Sequence, residues 1–559
     1  MTRIAAEDYL DALAAHGIEH LFVNPGTDFA PIVEAFSRAA RTNRPVPRPM
    51  VVPHENAAVA MAHGYTMVTG KPQAIMLHTN VGTANAINML INASRDRVPM
   101  LLTSGRTPYT EHGAEGSRSA HIQWAQEMFD QAGMLRELVK WDYEMRRGDQ
   151  AAKVVDRALE IANASPQGPC YLSLPREVLG EVMSAAAESN RGHRAIPRPP
   201  EARASDIDTL ADWIAEAKNP LIITGMLGKD PRDSVVLSRL AERYALPVVP
   251  YNTRYFALSA DHPMFQGSMP APLLQDADLV IVFETDVPWL SSKTAPPSNA
   301  RVVQIGEDPL HGNLPMRSFP SDLTLTATCV SVLEALEVAL SKRSTPQVAG
   351  RDVTLRERSR GLHASWLQEA ERAGQAETIT LPWLNHCLRE IIDADTKVIS
   401  EYSFRQEYCP LHTPGSLFAL SSAGGLGWGF PASLGVKLAS PDSLVLSVLG
   451  DGAYMFANPT ACHYTAQTQK LPVLTIIYNN SLYGAVRNAT LDMYSKGVAK
   501  EADGRFLAEL PAASFEKIVA AHDGYGEKVE RPADLPAALQ RAAKAVRSGQ
   551  QALLNVVCK

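Results

Sequence analysis

Short apolar runs that stop abruptly at Gly, Asn, His or Glu, each followed by a helix-patterned segment, constrain this chain more than any other feature. In the first third they fall at residues 20–24, 50–53, 74–78, 100–104 and 170–174. Such runs read as strands, and the segments between them as helices. That alternation argues for parallel sheets flanked by helices. Functional groups then collect at the carboxyl ends of strands, where Pro25-Gly26, His54-Glu55 and His78 stand. Further runs occur at 220–225, 246–250, 279–284 and 301–305, then at 397–400, 443–449, 473–478 and 552–557. Polar and Pro-rich breaks at 190–202 and around 341–351 read as linkers. The expectation is an α/β chain of three consecutive domains with mainly parallel sheets, at 1–185, 203–345 and 358–559.

Composition excludes several classes. A chain of 559 residues with 45% hydrophobic and 20% charged residues is ordinary globular material, long enough for several cores. A formal net charge of -7 argues against a nucleic-acid or anionic-membrane partner. Six scattered cysteines without a CxxC pair suggest reduced thiols in a cytoplasmic protein. No apolar run approaches the ~20 residues needed to span a bilayer, and the N-terminus lacks a signal-peptide core.

The third block carries the strongest chemical signal. Leu446-Ser447-Val448-Leu449 runs into Gly450-Asp451-Gly452, and the apolar run 471–478 ends at Asn479-Asn480. Two strand ends thereby present a carboxylate and a carboxamide. Hard oxygen ligands suit Mg²⁺, which completes its shell with phosphate and water. The glycines let backbone N–H groups approach a diphosphate closely. Gly-Asp-Gly alone is common in turns; the Asn pair followed by Leu482-Tyr483-Gly484 adds the specificity. Upstream, Gly424-Gly425-Leu426-Gly427-Trp428-Gly429-Phe430-Pro431 reads as a tight strand-to-helix connection. Ser403 can donate to a phosphate or cap a helix. In the first block Glu55 opens a helix, where the helix N-terminus stabilises a carboxylate.

In this order these segments resemble the thiamin-diphosphate (ThDP) enzymes, over essentially the whole chain. Within them the pattern is similar to the benzoylformate decarboxylase and acetolactate-synthase-like branch of the pyruvate oxidase/decarboxylase superfamily. It rests also on Asn24-Pro25-Gly26-Thr27, Leu77-His78-Thr79, Gly82-Thr83-Ala84-Asn85-Ala86, Leu138-Val139-Lys140-Trp141 and Pro166-Gln167-Gly168-Pro169. The resemblance implies pyrimidine-binding, central and diphosphate-binding domains. It implies that Asp451, the Asn480 side chain and the Leu482 carbonyl hold Mg²⁺. Gly452, the Ala453 amide, Ser403 and Tyr483 would contact the diphosphate. Leu426 would wedge beneath the coenzyme rings, the Gly424 carbonyl would accept from the 4′-amino group, and Glu55 would bind the pyrimidine nitrogen. One departure is visible: Asp451 and Asn480 stand about two residues further apart than is usual in the family, which we assign to a loop at 458–460.

The resemblance also bears on the reaction. His78 matches an active-site acid–base group of the decarboxylases, although a lone strand-end His is often structural. Thr27 matches a hydroxyl that contacts substrate carboxylate, or serves turn chemistry after Pro25-Gly26. The family's second active-site His has no counterpart in the segment 283–289. Tyr109, His112, His121 and Gln123 are alternative proton donors, and Val486 and Ala489 either line an acyl pocket or belong to the core. The expected activity is ThDP- and Mg²⁺-dependent, non-oxidative decarboxylation of a small 2-oxo acid, with or without carboligation. The alternatives are an acetolactate-synthase-like carboligase, a 2-hydroxyacyl-CoA lyase, or an inert protein of the same fold. FAD has no supporting motif. The resemblance further implies a homodimer or homotetramer with shared active sites.

Overall fold

All strand pairings inside the three sheets of the computed structural model are parallel. The structure describes residues 2–183 and 196–558. The first sheet contains β1 (His20–Asn24), β2 (Arg48–Val51), β3 (Gln73–Leu77), β4 (Met100–Arg106), β5 (Asp142–Glu144) and β6 (Pro169–Pro175), in the order β2-β1-β3-β4-β6-β5. The second contains β7 (Pro220–Thr224), β8 (Val248–Pro250), β9 (Leu279–Phe283), β10 (Arg301–Gly306) and β11 (Leu323–Thr326), in the order β11-β10-β9-β7-β8. The third contains β12 (Lys397–Glu401), β13 (Leu417–Ala419), β14 (Val445–Gly450), β15 (Leu474–Asn479), β16 (Tyr525–Val529) and β17 (Ala552–Val557). Its order, β13-β12-β14-β15-β17-β16, repeats that of the first sheet strand for strand.

Strands β3, β7 and β9 are buried at every position, as the apolar runs require. The break at 190–202 falls partly outside the described residues; 196–203 have no regular structure. The second linker needs correction. A helix of 27 residues, Val348–Gly374, begins inside it and carries the chain toward the third sheet. Its low apolar content hid it, since few of its residues are buried.

The first and third sheets meet through two helices, Glu55–Thr69 and Gly429–Ala439, both largely buried. Each puts a glycine where the other's backbone passes. A methyl on Gly64 would lie 2.1 Å from the Ala432 carbonyl oxygen, and one on Gly435 would lie 1.9 Å from that of Met61. Glycine is thus required at both positions by close approach. The contact matters for function because one helix starts at Glu55 and the other directly follows the glycine-rich segment. All six cysteines are buried free thiols. Among the described residues no helix is long and apolar enough to cross a membrane.

Candidate active site

Chain topology brings the predicted metal ligands side by side. Strands β12, β14 and β15 are neighbours, with Ser400 beside Val448 and Gly450 beside Tyr478. Their carboxyl ends therefore deliver Ser403, Asp451 and Asn480 to one edge. Asp451 is the first residue of a short helix, Asp451–Phe456. One of its carboxylate oxygens accepts from the Gly452 N–H at 2.8 Å. The other, Oδ2, is buried and has no partner. Burial holds this carboxyl above the usual range against the pull of nearby backbone N–H groups at Gly452, Ser481 and Leu482. An orphaned buried carboxylate oxygen costs free energy unless something cationic meets it. Asn480 keeps its Oδ1 nearby, accepting from the Leu482 N–H at 3.0 Å. One carboxylate, one carboxamide and one carbonyl suit a hard divalent ion that keeps water or phosphate in its remaining positions.

The diphosphate candidates share this edge. Gly452 and Ala453 occupy the first turn of the helix Asp451–Phe456, where N–H groups lack intrahelical acceptors. The ring of Tyr483 rests against Gly452, 2.9 Å from where a methyl would stand. Ser403 is buried, and its carbonyl accepts from Asn385. Asp451 opens two helices, Asp451–Phe456 and Pro459–Thr468, joined at Asn458, whose φ is +52°. The expected loop at 458–460 is thus a sharp left-handed joint followed by helix.

The glycine-rich segment is held by a residue that motif reading passed over. Glu401, fully buried at the end of β12, accepts from Gly427 N–H at 2.8 Å and Gly429 N–H at 2.6 Å. Burial pushes its carboxyl up to about 7. Beyond this clamp, the Trp428 indole N–H donates to His63 Nδ1 at 3.2 Å. Leu426 is partly buried, packed against the core formed by the two crossing helices. Tyr402, next to Glu401, sits at φ +73° with its hydroxyl facing Gly424. A bulky residue in that region is a genuine outlier.

In the first sheet, Glu55 is buried at the start of its helix. Asn24, at the end of β1, donates to one of its oxygens at 2.9 Å, and Asn85 donates to the other at 3.1 Å. His78 follows β3, and its Nδ1 lies 2.5 Å from Asp28 Oδ1. The Asp28 hydrogen bond, reinforced by the charges of Asp28 and Glu55, raises the imidazole above its ordinary value despite partial burial. Asp28 was invisible as a partner because fifty positions separate the two residues. Gly26 makes room: a methyl there would lie 2.1 Å from His78 Nδ1. Thr27 is exposed on the same turn, one residue before Asp28.

The alternative donors separate. Gln123 is buried and uses its side-chain oxygen on the Ser119 and Ala120 N–H groups. Tyr109, His112 and His121 are exposed. In the segment 283–289, Glu284 pairs with Arg97 at 2.9 Å and Asp286 with Arg254 at 2.9 Å. Val486 and Ala489 are exposed on the helix Gly484–Met493, which buries none of its residues.

Comparison with known proteins agrees with this layout. Residues 4–134 match the thiamine pyrophosphate enzyme N-terminal TPP-binding domain, 207–336 the central domain, and 400–556 the C-terminal TPP-binding domain. The chain is 27% identical over 562 aligned residues to the benzoylformate decarboxylase of Pseudomonas aeruginosa, covering 96% of each chain. It is 24% identical to the acetolactate synthase large subunit of Haemophilus influenzae, covering 96% of this chain and 91% of that protein. A thiamine diphosphate-dependent 4-hydroxybenzoylformate decarboxylase from Rhodococcus jostii RHA1 shares the fold, with a TM-score of 0.78 at 20% identity over 100% of this chain and 99% of that one. With three TPP-enzyme domains in their order along three parallel sheets, the chain belongs to the thiamine pyrophosphate enzyme family and is a lyase or transferase dependent on that coenzyme.

Proposed function

We propose that this enzyme is a ThDP- and Mg²⁺-dependent, non-oxidative decarboxylase of a small 2-oxo acid, of the benzoylformate decarboxylase type. The observation that carries the reading is His78, oriented by Asp28 and close enough to Glu55 to feel its charge. When bound, the coenzyme supplies the nucleophilic carbon and the electron sink for loss of CO₂. The protein's own task is then proton traffic and charge placement. Glu55, steadied by Asn24 and Asn85, would hold the pyrimidine nitrogen by a hydrogen bond. His78 uses Nδ1 on Asp28, and its Nε2, 3.5 Å from the Gln126 amide nitrogen, delivers a proton to product. Thr27 offers its hydroxyl to the substrate carboxylate. Asp451, Asn480 and the Leu482 carbonyl hold Mg²⁺; Gly452, Ala453, Ser403 and Tyr483 hold the diphosphate; Leu426 and Gly424 shape the ring site.

In the central domain, the Glu284 side chain turns toward the end of β10, accepting from the Glu307 N–H at 2.5 Å and pairing with Arg97 at 2.9 Å. We further infer a homodimer or homotetramer, in which exposed Met493, Val498, Phe506 and Leu507 are covered by another copy. Six reduced thiols fit a cytoplasmic location. The test is titration with ThDP and Mg²⁺ followed by CO₂ release from a panel of 2-oxo acids. Saturable binding without CO₂ release from any of them overturns the decarboxylase reading.

A further inference from the structure

One helix of the first domain, Thr79–Arg95, touches both Glu55 and the glycine-rich segment of the same chain. Asn85, Asn88 and Asn92 follow one another at i, i+3 and i+7, so they lie within an arc of about 60° on one helix face. Asn85 donates to Glu55 at 3.1 Å. Asn88 donates to the Leu426 carbonyl at 3.1 Å. Asn92 is fully buried and takes both backbone groups of Gly425. Its Nδ2 donates to the Gly425 carbonyl at 2.8 Å, and its Oδ1 accepts from the Gly425 N–H at 3.0 Å. A methyl on Gly425 would fall 2.7 Å from that Oδ1, so the fit is closed on both sides.

We propose that Asn92 and Asn88 are positioning residues for the coenzyme, and that this asparagine face acts as a template that pre-shapes the glycine-rich segment. The inference rests on the reading of Gly424 and Leu426 as the ring site. Nothing else on the helix offers the Gly425 amide group both a donor and an acceptor. A backbone stretch of five residues with glycines at 424, 425 and 427 has little stiffness of its own. Glu401 fixes its far end at Gly427 and Gly429. Asn92 and Asn88 fix its near end, flanking the Gly424 carbonyl and the Leu426 side chain. With both ends held, the segment is pre-shaped before coenzyme arrives, and binding need not supply the ordering entropy. The position of the carboxamide matters more than its polarity. Asn92→Asp keeps an acceptor for the Gly425 N–H but has no donor for the Gly425 carbonyl.

The experiment uses the full chain with ThDP and Mg²⁺ as probe, alongside hydrogen exchange of peptides covering 421–430 in coenzyme-free protein. Asn92→Ala and Asn92→Asp should each raise the ThDP dissociation constant about tenfold, and the partly exposed Asn88→Ala about threefold, because buried backbone groups lose their partners. Exchange across 421–430 should quicken in all three while peptides of the central sheet keep their wild-type rates. Should Asn92→Ala prove insoluble, Asn88→Ala decides alone. Wild-type affinity together with wild-type exchange at 421–430 overturns the template. Absence of saturable ThDP binding in the wild-type protein instead defeats the reading of the ring site, and the exchange rates still judge the clamp.

Discussion

The Nδ1 of His78 and the Oδ1 of Asp28 stand 2.5 Å apart at the carboxyl edge of the first sheet, joining β3 to the turn after β1. The pair fixes which imidazole nitrogen faces outward, so its removal should change chemistry more than folding. His78→Ala should lower turnover by about a hundredfold, the usual worth of a positioned acid or base. Steady-state rates of CO₂ release, read separately from product protonation, check this.

The same pair sets a pH dependence. Asp28 raises the folded-state value of His78 above its ordinary value. A raised imidazole value means that the stability it adds is fully present below the unfolded value of about 6.5 and disappears as pH rises through the folded one. Asp28→Asn should therefore cost more stability at pH 6 than at pH 9. Urea unfolding of both proteins at the two pH values gives the comparison, and an equal cost at both refutes it.

Asp451 shifts stability with pH in the same direction, but here the charged form is the costly one. Burial raises its carboxyl value, so its charge costs stability as pH rises past the unfolded value of about 4, and protonation relieves that cost. Without metal, Asp451→Asn should be neutral or slightly stabilising; with Mg²⁺ and ThDP present it should abolish the ligand-induced rise in Tm. Differential scanning calorimetry with and without chelator separates the two effects.

Glu401 satisfies two backbone N–H groups from inside the core. Glu401→Ala leaves both unpaired and should cost about 2–5 kcal/mol, with loss of ThDP affinity. Glu401→Gln, which keeps an acceptor, should lose less. Denaturant midpoints at equal m-values test the order.

Much of the fold was legible in the chain, and what was missed has a common cause. Strands β5, β11, β13 and β16 escaped notice, and every one lies at an edge of its sheet. An edge strand pairs on one side only and needs no continuous apolar run; β5 is half-buried throughout and β16 alternates toward solvent. The strands that carry Asp451 and Asn480 sit centrally and are apolar, so they and the residues at their ends could be read directly. The partners that tune those residues could not. Asp28 for His78, Asn85 for Glu55 and Glu401 for Gly427 are paired by tertiary folding across 50, 30 and 26 positions. No periodicity links residues so far apart, although Glu401 stood two places from Ser403.

Gly64 and Gly435 remain, at the crossing of the two central helices. As helix glycines, each should gain about 1 kcal/mol on conversion to alanine from propensity alone. The overlap with Ala432 and Met61 outweighs that gain, and Gly64→Ala or Gly435→Ala should cost about 1–3 kcal/mol. Chemical denaturation of the single variants measures the sign.

What those two methyls would strike is main chain, which every amino acid shares. In most tightly packed interiors an enlargement on one side is rescued by trimming a neighbour, and lineages wander through such compensations. Here there is nothing to trim, so both sites are closed to evolutionary drift whatever happens around them, and a library selecting for second-site suppressors of either change should return only reversions or rearrangements of whole helices.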